Sequence, residues 1–217
     1  GYGMESVRQR AMSTAETVSA SLSEVVDDSA LELVVDLRLA FGRLLAALGA
    51  NERAEKEHLD TAELSLSQGW TETACAALAL ASHAAQARGD RASSGRAWHQ
   101  CREAMGAWPM NRPGERCGTL VDAVGDPLVA LQVLSALAEV LVDGVEEDHS
   151  RAPIIREIIS RASEQASRCV SPPQGAVESL ARVEERIAPY GRGRGGRRRP
   201  GSTTTITTDG QAAAGGK

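Results

Sequence analysis

Apolar residues recur at helical spacing along nearly the whole chain, and nowhere do they alternate as strand residues do. From Met4 to Val26, the positions Met4, Val7, Ala11, Val18, Leu22 and Val25 define one side of an amphipathic helix whose other side is crowded with Ser and Thr. Ser29 with Glu32 is a capping-box pair, and the run from Ala30 to Leu48 is apolar over more than half its circumference before Gly49 stops it. That pattern predicts a well-buried second helix. Asn51 is positioned to cap a more polar third helix carrying Leu59, Ala62 and Leu66 and ending near Gly69. An Ala-rich fourth helix is expected from Thr71 to Arg88, and a fifth from about Ala92 to Ala107 after the Gly89-Asp90 turn.

In the fifth segment Trp98, Cys101, Met105 and Trp108 form one apolar stripe, the pattern of core. Pro109, Pro113 and Gly114 mark the one substantial internal loop. Asp126-Pro127 then starts a helix, because proline fits the first helical position and Asp can cap it. The helix it opens, through Val142, is polar only at Gln132, Ser135 and Glu139 and is the expected central element. Pro153 opens another, with Ile154, Ile158, Ala162 and Cys169 on one face, which Ser171-Pro172-Pro173 ends. The last, about Ala176 to Ala188, sets Val177, Leu180, Val183 and Ile187 against Glu178, Arg182 and Glu185. The predicted fold class is all-α: an antiparallel bundle or stacked hairpins of about seven to eight helices. Residues 1–189 are read as one helical domain, which suits a chain of 217 residues.

Composition agrees, since the apolar fraction is built from Ala, Leu and Val with six aromatic residues in all. Charge adds an asymmetry. The net charge is −5, yet residues 190–217 hold five Arg and one Lys against one Asp. The remainder therefore carries −10, an acidic body with a basic end. From Tyr190 onward there is no periodicity, and a Gly, Arg, Ser and Thr composition cannot bury enough apolar surface to offset chain entropy, so residues 190–217 are expected to be a disordered tail.

Chemistry is sparse. His58, His83, His99 and His149 belong to no H-E-x-x-H motif, and the chain has neither G-x-S-x-G nor a phosphate-cradling loop. Asp143, Glu146, Glu147 and Asp148 read as a solvated or capping loop rather than a metal site, and His99 with Cys101 and Cys117 matches no zinc spacing. The four cysteines form no C-x-x-C pair and are expected to be free, mostly buried thiols. No catalytic residue, metal or cofactor is assigned, and the reading is of a non-enzymatic protein. Its longest apolar stretch, Pro127 to Val142, is too short and too interrupted to span a bilayer, and no secretory signal opens the chain. The expected location is cytoplasmic.

The segment from Thr71 to Met105 resembles the junction between tetratricopeptide-type repeats: an Ala-rich helix, the Ala87-Arg88-Gly89-Asp90-Arg91 turn and then Gly95-Arg96-Ala97-Trp98. The resemblance covers about a sixth of the chain. It implies stacked helical hairpins that bind a partner protein or peptide on a concave face, although flanking segments do not align to a ~34-residue period. At the other end, Arg192, Arg194, Arg197, Arg198 and Arg199 stand among glycines and are similar to the arginine-glycine segments of RNA-binding proteins and viral coat-protein arms. Such guanidinium groups can neutralise phosphates without choosing a sequence. Two functional expectations follow: a helical module for protein interaction or self-assembly, and a nucleic-acid-associated protein touching RNA or single-stranded DNA through its tail.

Overall fold

A computed structural model of the protein describes residues 30–190 and eight positions between 6 and 21. Those eight, Ser6, Gln9, Arg10, Ser13, Thr14, Thr17, Ala20 and Ser21, are helical and exposed. The apolar positions expected for the first helix, the capping Ser29 and residues 191–217 lie outside the described residues.

Eight helices follow: α1 (Leu31–Ala47), α2 (Asn51–Ser67), α3 (Thr71–Ala87), α4 (Arg91–Gly106), α5 (Pro113–Val124), α6 (Pro127–Val142), α7 (Arg151–Arg168) and α8 (Gln174–Ile187). A 3-10 turn, Ala188–Tyr190, closes the described chain, and no strand occurs among the described residues.

The first four helices share one turn, used three times. Gly49, Gly69 and Gly89 stand twenty residues apart and have φ of 76°, 74° and 85°, a left-handed conformation that L side chains resist. After each glycine, the next N–H donates to the carbonyl five residues back: Ala50 to Leu45 at 2.9 Å, Trp70 to Ser65 at 2.9 Å and Asp90 to Ala85 at 3.0 Å. These are Schellman closures, which satisfy carbonyls at a helix end that would otherwise lack donors. Turns this short force neighbouring helices to run antiparallel.

Two helices are central. α3 buries residues around most of its circumference, among them Ala74, Ala77, Ala81 and Ala85, so α2 and α4 can approach it closely. α6 buries Leu131, Leu134, Leu137 and Leu141 beneath α7 and α8, as its apolar run predicts. α3 also packs on α5 and α6, and one hydrophobic cluster runs from Val35 and Leu39 of α1 through both central helices to Ile187. Asp126 caps α6 as expected, accepting from Leu128 N at 2.8 Å and Val129 N at 3.2 Å, and Asp90 caps α4 through Ser93 N at 2.9 Å.

Four sequence expectations are revised. The region after Pro109 is mostly helix: Pro113 is the first residue of α5, whose Cys117, Leu120 and Val124 are buried. Asn51 is the first helical residue of α2, and Ala50 in the capping position makes no side-chain bond. On α7, Ile155 is buried where Ile154 was expected to lead the inner face. α1 is buried on one side alone, because Leu33, Leu37 and Leu44 remain exposed.

Candidate docking groove

The antiparallel order α2–α3–α4 leaves a groove above α3, with α2 and α4 as its walls. It encloses about 640 Å³. α2 contributes Leu59, Ala62 and Leu66, α4 contributes Ala97 and Ala104, and Leu78 of α3 forms the floor. The wall residues follow from helical spacing: α2 turns Ala54, His58, Thr61 and Ser65 inward, so Leu59 and Leu66 fall on an adjoining stripe that meets the opening. Leu66 is 50% exposed.

Charge surrounds this apolar strip. Glu55, Glu63 and Glu103 are acidic lining residues, and Arg96 and Gln100 complete the opposite wall. Glu55 is mostly buried and is held by Arg88 at 2.5 Å, while Arg88 also reaches Asp90 at 3.2 Å. This bridge ties α2 to the turn that starts α4. The two hydrogen bonds from Ser93, first its N–H and then its hydroxyl, hold the Asp90 carboxyl below the usual carboxylate range.

A second, more polar cleft of about 780 Å³ opens between α4, α6 and α8. Glu139 lines it. Arg102 reaches that carboxylate at 3.0 Å, Arg182 at 3.9 Å, and the Ser179 hydroxyl donates to it. Burial pushes Glu139 upward, but Ser179 and the two guanidinium groups outweigh it and hold the carboxyl below its ordinary value. Held by side chains of two other helices, this carboxylate anchors α4 and α8 to α6. Trp98 lines this cleft, while Cys101, Met105 and Trp108 of the same stripe are buried in the core as expected.

The remaining sequence candidates disperse. His83, His99 and His149 are exposed; His99 pairs with Glu103 at 3.5 Å and His149 stacks on Tyr190 with ring centroids 4.7 Å apart. His58 is buried. Among the described residues, no three His, Cys, Asp or Glu side chains come together to hold a metal ion. Asp143 pairs with Arg186 at 2.9 Å, and Asp148 accepts from Ser150 N at 3.0 Å and pairs with Arg151 at 3.6 Å, the capping and solvated roles expected for that acidic loop. Cys75, Cys101 and Cys117 are free and buried, and Cys169 is half-buried. The five tail arginines, Arg192, Arg194, Arg197, Arg198 and Arg199, lie outside the described residues. No helix among the described residues is long and apolar enough to cross a membrane.

Sequence reading missed the groove because its lining comes from three helices and each wall residue looks like ordinary core on its own helix. A usable signal was present in α2, where the Leu59, Ala62, Leu66 stripe is distinct from the Ala54, His58, Thr61, Ser65 stripe. Comparisons with known protein families, curated proteins and solved structures find no match to this chain.

Proposed function

We propose that the chain is a non-enzymatic helical docking module that holds a segment of a partner protein in the groove between α2 and α4. The observation that carries this reading is the groove itself: an open apolar strip between parallel walls, with Leu66 half-exposed at its mouth and carboxylates along the rim. An apolar strip rimmed by charge suits a segment that presents aliphatic anchors, and Glu63 and Glu103 favour basic residues beside them.

The test compares three forms of the protein as bait: the whole chain, a chain ending at Pro189, and the whole chain with Leu66→Asp and Ala97→Trp. A partner retained by the shortened chain and lost by the groove variant supports the proposal. Binding that ignores the groove substitutions overturns it.

A second reading is favoured by the charge segregation. Five arginines within residues 192–199 follow an acidic body, so any affinity for RNA or single-stranded DNA resides in the tail. In this reading the body assembles or docks while the tail neutralises phosphate.

A further inference from the structure

α6 is apolar from Pro127 to Val142 except at Gln132, Ser135 and Glu139, and all three line the same cleft. α6 packs against both α4 and α8, so these residues lie at the base of the opening that those two helices leave. The volume, about 780 Å³, is within the range of small-ligand sites. Part of the lining is fixed by contacts between helices: Glu139 is held by Arg102 and Ser179, and Ser82 by Ser94.

Other lining groups are left over by the fold. Arg91 lines the cleft from the first turn of α4 and Gln132 from α6, and among the described residues neither side chain makes a hydrogen bond or an ion pair. Gln132 and Trp98 are both half-buried, and the indole of Trp98 adds flat aromatic surface.

Charge makes the cleft selective. Its ionised lining residues are Arg91 and Arg102 against Glu139, whereas the docking groove carries Glu55, Glu63 and Glu103 against Arg96. Within an acidic body this is a place that favours an anion.

Gly95 and Gly175 bring the backbones of α4 and α8 to the cleft surface. A Cβ at either would meet nothing within 4 Å, so packing within the chain requires neither glycine. Glycine inside a helix is less stable than alanine, and Gly95 lies in the second turn of α4. The open space there admits a group that approaches the helix backbone closely.

We propose that this cleft binds a nucleoside monophosphate. The heterocycle stacks on Trp98 beside the bare backbone at Gly95. The Gln132 carboxamide, which both donates and accepts, meets the polar edge of the base, and Arg91 with Arg102 pairs with the phosphate. An aliphatic carboxylate would satisfy the arginines and leave Trp98 and Gln132 without a role. The site shares no residue with the docking groove or with the tail.

The test titrates the 5′-monophosphates of adenosine, guanosine, cytidine and uridine into the whole chain by isothermal calorimetry. At least one is expected to bind with a Kd below about 1 mM. It should also shift the indole N–H resonance of Trp98, identified from Trp98→Phe, more than those of Trp70 and Trp108. Gly95→Leu should fold as the parent does, because its side chain starts in open space and leucine favours a helix. By filling the cleft it should weaken binding about ten-fold or more, and Arg91→Gln should weaken it comparably. Ribose 5-phosphate, which keeps the phosphate and lacks the base, should bind about ten-fold more weakly than the nucleotide. The proposal is overturned if none of the four binds, or if Gly95→Leu folds and binds like the parent. Equal affinity for ribose 5-phosphate also overturns it, since that marks phosphate held without the base.

Discussion

Gly42 of α1 has no side chain because the imidazole of His58 occupies the space where one would be. A Cβ at Gly42 would lie 2.4 Å from His58 Cε1 and 2.7 Å from Nδ1, well inside van der Waals contact. The buried ring therefore sets how closely α1 and α2 approach. Gly42→Ala should destabilise the fold by about 1–3 kcal/mol, the usual cost of overpacking, read as a lower urea midpoint. In a His58→Ala background the same change should cost far less, a non-additivity that a double-mutant cycle measures.

His58 also links stability to pH. Burial first, and then the nearby Arg43 charge, lower its pKa from 6.5 to about 4. Its Nδ1 has no hydrogen-bond partner among the described residues. Above pH 6.5 the ring is neutral whether the chain is folded or not. As pH falls from 6.5 to about 4 the unfolded chain takes up a proton that the folded chain refuses, so stability declines by about 3 kcal/mol in total. Below that window this group contributes no further loss. Burial raises Glu57 and works in the opposite direction, so the measurement is the difference in unfolding free energy between the protein and His58→Gln across pH 4 to 7.

Arg43 joins α1 to the end of α5. Its Nη1 donates to the Ala123 carbonyl at 2.9 Å and the Asp122 carbonyl at 3.2 Å, beside Gly125 at φ 70°. A cation on the last carbonyls of a helix satisfies acceptors and complements the dipole. Arg43→Ala should lower stability by about 1–2 kcal/mol, and should raise the His58 pKa by removing a neighbouring positive charge. Thermal unfolding gives the first effect and imidazole titration by NMR the second.

Thiol chemistry separates the cysteines. Burial pushes Cys117 up to about 12, and the hydrogen bond with Cys75 together with burial pushes Cys101 upward. A disulfide reagent should modify Cys169 quickly and the other three only as fast as the native protein opens. Fast reaction of more than one thiol in the native protein contradicts this packing.

Nucleic-acid binding, if it resides in the tail, has a fixed salt signature. Five arginines contacting single-stranded phosphates should give a log–log slope near −3.5, from about −0.7 per contact. Fluorescence anisotropy with RNA and single-stranded DNA, comparing the whole chain with one ending at Pro189, reads it directly. No binding at low salt removes the second functional reading.

Much of the helix order was legible in residues. Asp126-Pro127 announced α6, and its apolar run announced a central position that burial of Leu131 and Leu137 bears out. α5 was not legible, because Pro109, Pro113 and Gly114 read as loop markers while its inner face holds only Cys117, Leu120 and Val124. His58 and Thr61 look like surface residues of a polar helix, yet both are buried, Thr61 donating its hydroxyl to Glu57 O at 2.7 Å. The groove was illegible for a different reason: it is a property of three neighbouring helices, and spacing within one helix does not report where another begins.

The turns at Gly49, Gly69 and Gly89 make α1, α2 and α3 a series of equivalent modules, each a helix of seventeen residues followed by the same closure. Two modules return the chain to the end where it started. A duplication of forty residues would therefore insert a complete hairpin and preserve every local contact, whereas an insertion of one residue would rotate all that follows by about 100°. The helical layer is then open to extension by whole hairpins, each adding roughly one pair of interhelix spacings of 8–10 Å, and a gene encoding this chain could widen that layer without inventing a new fold.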